Sequence, residues 1–205
     1  MKKKKNLWVQ RQNRDSFYKL SRKEGYRSRA AYKIIEINDR YKLISKGINV
    51  IDLGASPGGW SQVLSIKLAT LRSKIFAIDE KNIEPIKNVK FFKKNIEEID
   101  DSFLKLNSLN NISLILSDIA PNATGHKFTD QARAHRLCLK VLEFVKKTLS
   151  NKGNFVCKYL RGNEENEFIS ELKKYFLEVE IFKPKASRNI SKEIYLICLS
   201  FNNLQ

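Results

Sequence analysis

The sequence predicts an α/β protein in which a doubly wound, mostly parallel sheet of seven strands has helices on both faces. Two observations predict this class. Apolar, β-branched runs of strand length alternate with segments of helical periodicity, as in chains built from strand–helix–strand units. In addition, "DLGASPGGW" places a glycine-rich bend between the first run and the next helical segment, at the sheet edge where open α/β folds bind ligands.

The elements follow one another along the chain with short connections. Strands are predicted where Val, Ile, Leu or Phe dominate a short run, at 48–53, 74–78, 89–92, 112–117, 153–159, 179–182 and 194–200. Helices are predicted where a longer segment has helical periodicity, at about 28–41, 60–71, 130–149 and 164–176. No repeat and no Pro-, Gly- or Ser-rich linker interrupts this order, so we expect one domain over residues 28–205.

The composition argues against several classes of protein. The 205 residues, 42% of them hydrophobic, can bury one core. No apolar run reaches the roughly 18 residues of a membrane span, and no apolar segment of a secretory signal follows the first lysines. Cys138, Cys157 and Cys198 lie singly in apolar segments, as expected of reduced thiols in a core. With only two histidines besides, we expect no metal site.

The net charge of +17 favours a polyanionic partner such as nucleic acid. Residues 1–29 hold eleven basic and two acidic residues, so a net charge of +9 lies ahead of the first strand. Aromatic residues are interleaved with these charges, as in surfaces that bind phosphates and stack on bases: Trp8, Phe17, Tyr18 and Tyr26. We therefore predict that residues 1–27 are a basic RNA-binding segment. A solvated basic tail is the alternative, chiefly for residues 2–5.

The glycine bend predicts a nucleoside site. Gly54, Gly58 and Gly59 have no Cβ, so a ligand could approach the backbone closely there. The spacing matches neither the GxGxxG of dinucleotide folds nor the Gly-Lys-Ser/Thr of phosphate-binding loops. Asp79 lies 25 residues after Gly54, near the roughly 20-residue offset at which an acid binds ribose hydroxyls. S-adenosylmethionine, a nucleoside without a pyrophosphate, fits this pattern; a generic glycine turn is the alternative.

Four ionisable side chains lie where purely structural residues are uncommon. Lys158 interrupts an apolar run predicted as a central strand, where an unpaired ammonium is costly. Asp118 closes another run, Glu193 begins a third, and Lys33 lies on the inward side of a predicted helix. Together with Asp52, Asp118 would place negative charge at strand ends, where it favours a sulfonium. Each residue also has an ordinary explanation: a snorkelling lysine, a capping aspartate, a solvated strand end or an exposed helix charge.

Five separated blocks resemble the FtsJ-like 2′-O-ribose methyltransferases of RNA. They are "GYRSRAAYKIIEI", "DLGASPGGWSQV", "SDIAPNATG", "FVCKYLRG" and "SRNISKEIYLI", in the family's order and at similar spacing. The resemblance runs from about Trp8 to Leu199. It implies a Rossmann-like, S-adenosylmethionine-dependent methyltransferase fold with a Lys-Asp-Lys-Glu tetrad. Here the tetrad is Lys33, Asp118, Lys158 and Glu193, the four residues singled out above.

This resemblance gives each member of the tetrad an expected role. A ribose 2′-hydroxyl is a weak nucleophile, so it must be aligned with the methyl donor and lose its proton as attack proceeds. Lys158 is the candidate base, for which it must spend part of its time as the neutral amine. Asp118 is expected to orient Lys158 and to lie near the donor, while Lys33 and Glu193 hold the ribose. The chemistry requires no metal and no covalent intermediate.

The resemblance also predicts the cofactor site. Gly58 and Trp60 are expected on the methionine side, Asp79 at the cofactor ribose and Asn95 at the adenine. Asn95 departs from the family, whose bacterial members usually have Asp there, and an amide oxygen can still accept from the adenine amino group. The full predicted set is Gly54, Ser56, Pro57, Gly58, Gly59, Trp60, Asp79, Asn95 and Asp118.

The expected substrate is a uridine in the A-loop of large-subunit ribosomal RNA, within a ribosomal particle. A tRNA anticodon-loop methyltransferase and a non-catalytic, RNA-binding ribosome-assembly factor are the alternatives. Basic residues of the loop before Glu193 are expected to contact phosphates: Lys183, Lys185, Arg188 and Lys192. We expect a monomer without membrane association, in a bacterial cytoplasm or in an organelle such as the mitochondrion.

Overall fold

The computed structural model of the protein describes residues 15–69 and 72–202. Its strands are β1 (Asn49–Leu53), β2 (Lys74–Asp79), β3 (Val89–Lys93), β4 (Ile112–Ser117), β5 (Leu149–Leu160), β6 (Phe176–Phe182) and β7 (Glu193–Phe201). Its α-helices are α1 (Ser16–Lys23), α2 (Ala31–Tyr41), α3 (Gly59–Lys67), α4 (Asp101–Leu106), α5 (Lys127–Thr148) and α6 (Glu165–Leu172), with a short 3-10 helix at Ile96–Glu98.

The seven described strands form one sheet in the order β3-β2-β1-β4-β5-β7-β6. Strands β1 to β5 pair in parallel, whereas β7 is antiparallel to both of its neighbours, β5 and β6. Because β1 pairs with β2 on one side and with β4 on the other, the chain winds outwards in both directions from the middle of the sheet. The predicted doubly wound, mostly parallel sheet is therefore confirmed.

Two apolar layers cover the two faces of the sheet, as the period of two along each strand requires. On one face, α2 and α3 pack with inward residues of the strands, among them Ile34, Val63, Val50, Leu114 and Val156. On the other face, α5 and α6 cover the alternate strand residues, among them Val145, Phe168, Ile51, Ile115 and Phe155. The three cysteines are free and buried, as predicted for core thiols.

Several predicted boundaries were wrong, two of them where a strand extends into a predicted helix. The helix predicted at 164–176 ends at Leu172, because Phe176 is buried and begins β6 opposite Phe201. The helix predicted at 130–149 begins at Lys127, and Leu149 already belongs to β5, four residues before the predicted strand. The helix predicted at 60–71 ends at Lys67. Residues 70–71 lie outside the described part of the chain.

Three short elements were missed: α1, the 3-10 helix and α4. Each begins with a side-chain cap that local hydrophobicity does not reveal. Asp15 accepts a hydrogen bond from the Tyr18 backbone N–H at 3.1 Å, and Asp100 does the same for Phe103 at 2.7 Å. The two α-helices span only eight and six residues, which is too short for periodicity to identify them.

The described part of the predicted N-terminal segment packs against the rest of the molecule. The Arg27 guanidinium donates to the Glu84 carbonyl at 2.6 Å and to the Pro85 carbonyl at 2.8 Å, and the Gln62 side chain donates to the Gly25 carbonyl at 2.8 Å. Phe17 and Tyr26 contact the ring of Tyr32. Residues 1–14, with Trp8, lie outside the described residues, and the RNA-binding role of this segment stays a prediction.

Candidate active site

A cavity of about 490 Å³ opens at the carboxyl edge of the sheet, where β1, β2, β3 and β4 end. This volume lies within the range of small-molecule pockets. Its lining combines apolar strand ends with ionisable side chains: Leu53, Gly54, Ser56, Ile78, Asp79, Glu80, Lys81, Lys94, Asn95, Ile96, Glu97, Asp118, Ile119, Ala120, Pro121, Asn122, Leu137 and Lys158. Among the described residues, no group of three or more His, Cys, Asp and Glu side chains could hold a metal ion.

The strand register brings the predicted tetrad to one side of this cavity. Ser117 of β4 pairs with Cys157 of β5, so the next residues, Asp118 and Lys158, emerge side by side at the carboxyl edge. Because β7 runs in the opposite direction, it begins at this edge, with its first residue, Glu193, opposite Leu160. Lys33 reaches the same place from α2, where it is buried.

The four side chains form two ion pairs. Lys158 Nζ lies 3.2 Å from Asp118 Oδ1 and also donates to the Asp118 backbone carbonyl. Lys33 Nζ lies 2.7 Å from Glu193 Oε1. The exposed fractions are 11% for each lysine side chain, 15% for Glu193 and 19% for Asp118, so only one side of the cluster is open to a substrate. The structure therefore brings together all four predicted residues.

Tyr195 joins the two ion pairs and was not found in the sequence. Its hydroxyl donates to Asp118 Oδ1 at 2.7 Å and accepts from Lys33 Nζ at 3.0 Å. Burial, and after it the charges of Asp118 and Glu193, raise the pKa of the Tyr195 hydroxyl well above its usual range, so the hydroxyl stays protonated. A signal did exist: residues two apart on a strand share a face, and Tyr195 follows Glu193 by two.

The cluster keeps Asp118 ionised. Burial on its own would raise the pKa of this carboxyl, but the ammonium groups of Lys158 and Lys33 and the hydroxyl of Tyr195 act in the other direction and lower the pKa overall. A fixed negative charge therefore lines the cavity beside Lys158, where it can orient the amine and attract a cationic ligand.

The sequence profile of the FtsJ-like methyltransferase family matches residues 26–201. The chain belongs to this family. A protein named Ribosomal RNA large subunit methyltransferase E from Rickettsia felis is 43% identical over 198 residues, which are 94% of this chain and 87% of that relative. The protein of the same name from Rickettsia canadensis is 42% identical over 200 residues, 95% of this chain and 88% of that relative.

A crystal structure of a ribosomal RNA methyltransferase from Plasmodium falciparum has the same architecture. It matches with a TM-score of 0.78 and 33% sequence identity, over 86% of this chain and 98% of that one. The fold of this FtsJ-like methyltransferase is thus the Rossmann-like fold that the sequence resemblance implied.

In this FtsJ-like methyltransferase, five of the nine predicted cofactor residues line the cavity: Gly54, Ser56, Asp79, Asn95 and Asp118. Asp79 is held in place by two backbone N–H groups, since Oδ2 accepts from Ser56 and Oδ1 from Lys81, both at 2.8 Å. Each carboxylate oxygen keeps a further lone pair for a ligand hydroxyl. Asn95 Oδ1 accepts from the Glu97 N–H at 3.1 Å and likewise keeps a second lone pair.

The other four predicted residues, Pro57, Gly58, Gly59 and Trp60, do not line the cavity of the methyltransferase. A Cβ at Gly59 would lie 2.4 Å from Ser28 Oγ, and one at Gly58 would lie 2.9 Å from the Arg27 guanidinium. The close neighbour of these two glycines is therefore the protein's own segment 27–28, not open space. Their predicted cofactor contacts stay predictions.

Trp60 of the methyltransferase is buried and packs against Tyr195, which joins the two ion pairs. It is 2% exposed, its indole N–H donates to the Ala30 carbonyl at 2.7 Å, and its ring centroid lies 5.7 Å from that of Tyr195. Asp52 is also absent from the lining, contrary to the prediction that its charge faces the ligand. It is fully buried beneath α3, where Ser61 Oγ donates to its Oδ2 at 2.6 Å.

The loop before β7 holds the remaining carboxylate of the methyltransferase. Ser187 Oγ donates to Glu193 Oε1 at 2.8 Å. The loop is fixed to α2 through Glu36, which accepts from the Lys185 N–H at 2.6 Å and the Ala186 N–H at 3.2 Å. The four predicted phosphate-contacting residues of this loop are exposed: Lys183, Lys185, Arg188 and Lys192.

Proposed function

We propose that this methyltransferase transfers a methyl group from S-adenosylmethionine to a ribose 2′-hydroxyl of ribosomal RNA, with an A-loop uridine of the large subunit as its target. The observation that carries the proposal is the contact chain of Lys158, Asp118, Tyr195, Lys33 and Glu193 beside the cavity. The relatives from Rickettsia and Plasmodium are named as ribosomal RNA methyltransferases, which supports the choice of RNA.

The residues of the cavity fit the proposed cofactor. Asp79 presents carboxylate lone pairs to ribose hydroxyls, and Asn95 presents an amide oxygen to the adenine amino group. Asp118, ionised at the cavity wall, matches a sulfonium cation. When bound, S-adenosylmethionine supplies an electrophilic methyl group.

In the proposed mechanism, Lys158 in its neutral amine form holds the 2′-hydroxyl and accepts its proton as the oxygen attacks, becoming an ammonium beside Asp118. The carboxylate and the backbone carbonyl of Asp118 both contact Lys158 Nζ and fix its position. The amine therefore does not need to move before it accepts the proton. Lys33, paired with Glu193, lies at hydrogen-bonding distance from groups of the cluster and can donate to the ribose oxygens. Tyr195, which stays protonated, keeps the two lysines apart at a fixed spacing.

The test is transfer of labelled methyl from S-adenosylmethionine to large-subunit particles from cells that lack this modification. The wild-type protein should label the particles and leave bulk tRNA unlabelled. Lys158→Ala should lose roughly a hundredfold or more in rate, the range expected when a general base is removed. Lys105→Ala, which removes an exposed lysine of α4, is the matched control and should keep full activity.

Other outcomes would each overturn part of the proposal. Labelling of tRNA instead of particles would identify an anticodon-loop enzyme. If wild type and Lys158→Ala label equally little while both bind RNA, the chain would be a non-catalytic assembly factor.

A further inference from the structure

Two large apolar side chains are exposed on segments that flank the tetrad. Phe128, in the first turn of α5, is 77% exposed, and Ile190, in the loop before β7, is 94% exposed. Single exposed apolar residues are common on protein surfaces. These two differ because their segments meet beside the active site.

The two segments meet through Arg161, and the charges of Lys127 and Lys192 interact at this junction. The carbonyl of Lys192 accepts from the Arg161 N–H at 3.0 Å, and Gln131 of α5 donates to the carbonyl of Arg161. Arg161 follows Lys158 by three residues, and Lys192 directly precedes Glu193. Phe128 and Ile190 are therefore one and two residues from a junction that adjoins the tetrad.

Both segments are held by specific hydrogen bonds. Before α5, the Thr124 N–H and Oγ1 donate to Asp130 Oδ1 at 2.8 and 2.7 Å. In the loop before β7, Lys183 Nζ donates to the Ser191 carbonyl at 2.8 Å, and the Ser191 N–H donates to the Arg188 carbonyl at 2.9 Å. The apolar side chains are thus presented from fixed backbone positions.

The junction is positively charged. The Lys127 side chain next to it, with burial second, lowers the pKa of the Lys192 ammonium, which is the effect of one cation on another. An anion bound between two such cations relieves their repulsion, and a backbone phosphate is the anion that an RNA offers.

The depth of the tetrad limits how an RNA can enter. The four side chains of the tetrad are only 11–19% exposed. A nucleotide whose ribose reaches Lys158 must therefore be turned out of its helix, so that its base leaves the stack. A base that leaves its stack loses apolar contacts, which aromatic and aliphatic side chains can replace.

We propose that Phe128 and Ile190 contact the unstacked nucleobases at and beside the ribose being methylated, while Lys127 and Lys192 bind the adjoining phosphate. This inference rests on the proposed RNA substrate. It assigns the selection of single-stranded over paired RNA to two apolar side chains, a role that neither the tetrad nor the cofactor cavity can fill.

The test is equilibrium binding of a short, fluorescently labelled single-stranded RNA and of the same RNA in a duplex, without cofactor. Phe128→Ala should weaken single-strand binding about tenfold, as loss of one stacked base does, and leave duplex binding unchanged. Ile190→Ala should weaken it less, and Phe128→Trp should restore wild-type affinity. Leu106→Ala and Leu177→Ala remove equally exposed side chains from α4 and β6 and should bind like wild type.

Salt titration separates the two kinds of contact. Lys127→Ala and Lys192→Ala should each lower the log–log salt slope of single-strand binding by about 0.7, whereas Phe128→Ala should leave the slope unchanged. The inference would be overturned if Phe128→Ala and Ile190→Ala bound single-stranded RNA as tightly as Leu106→Ala. It would also be overturned if Phe128→Ala weakened the binding of single-stranded and duplex RNA equally. Since this assay requires no methyl transfer, an inactive wild-type protein would refute the proposed function without deciding the base contacts.

Discussion

At the residue scale, the Tyr195 hydroxyl connects the two ion pairs of the tetrad, Lys158–Asp118 and Lys33–Glu193. Tyr195→Phe keeps the buried ring and removes both hydrogen bonds, to Asp118 and from Lys33. Hydrogen bonds to charged groups contribute about 1.5–3 kcal/mol, so we expect the methyl-transfer rate to fall roughly ten- to a hundredfold. Affinity for S-adenosylmethionine, measured by calorimetry, should change little.

Tyr159→Phe is the matched control for this substitution. Tyr159 is an equally buried tyrosine on β5, but its hydroxyl contacts His135 Nδ1 at 3.1 Å on the other face of the sheet. If Tyr159→Phe loses as much activity as Tyr195→Phe, the loss reflects general packing, and the bridging role assigned to Tyr195 is wrong.

Asp52 provides a prediction on the pH dependence of stability. Burial, assisted by the charges of Asp118 and Asp79 and opposed by the Ser61 hydrogen bond, raises the pKa of Asp52 to about 7. The folded state therefore holds a proton that the unfolded state releases near pH 4, so this stabilisation is complete below about pH 4 and is lost as pH rises to about 7.

Asp52→Asn, neutral at every pH, isolates this contribution. The free energy of unfolding of wild type minus that of Asp52→Asn should fall by about 1.4 kcal/mol per pH unit between about pH 4 and pH 7 and then level off. Urea titrations across this range measure it. A difference that is independent of pH would show that Asp52 is ionised in the folded protein.

The sequence identified the charged members of the site because an ionisable group inside an apolar run is conspicuous. Lys158 within "NFVCKYL" is the clearest case, and all four such residues converge in the structure. Tyr195 was missed because a tyrosine in a strand needs no special explanation. At Gly59 the sequence did not reveal the nearest neighbour: a Cβ there would meet Ser28, a contact between segments that no local pattern encodes.

At the element scale, the turn after β1 depends on Gly54. Its φ is +74°, and a Cβ there would lie 2.7–2.8 Å from side-chain and backbone atoms of Ile119, the residue after Asp118. Gly54→Ala should cost about 1 kcal/mol for the left-handed backbone and a further 1–3 kcal/mol because the Ile119 backbone must move. Urea unfolding measures the total.

Gly47→Ala is the matched control, since Gly47 has a similar φ of +78° with open space around its missing Cβ. It should show the backbone cost alone. Equal destabilisation by the two substitutions would mean that Ile119 can move away from a Cβ at position 54 without a measurable cost in stability.

The order and type of the long elements could be predicted because period two and helical periodicity were each sustained over a run. The ends could not. Phe176 and Leu149 were assigned to helices because they continue an apolar pattern, but in the structure each pairs across the sheet, with Phe201 and Ile112. Pairing of this kind connects residues far apart in the chain, so a local window does not contain the information.

At the scale of the whole molecule, Asp15 links the N-terminal helix to the active-site loop. Its side chain, 9% exposed, pairs with Arg29 and lies 3.6 Å from Arg188 Nε, while Arg29 also donates to the Ala186 carbonyl. Asp15→Asn keeps a capping side chain for α1 but removes the charge between two cations. We expect a loss of roughly 2 kcal/mol and faster amide hydrogen exchange across residues 183–192.

Asp100→Asn makes the same change at the exposed N-cap of α4 and should alter neither quantity noticeably. Unchanged exchange in residues 183–192 of Asp15→Asn would show that α1 and the loop are held independently.

The late place of β7 in the chain has a consequence for synthesis. A nascent chain emerges from its N-terminus, so β1 to β5, with Lys33, Asp118 and Lys158, leave the ribosome before Glu193 and Tyr195 do. Until β7 inserts beside β5, one edge of the sheet is open and the two lysines have no tyrosine between them. A partly translated chain can therefore build the walls of the cavity, but the cluster around Tyr195 is complete only when β7 arrives.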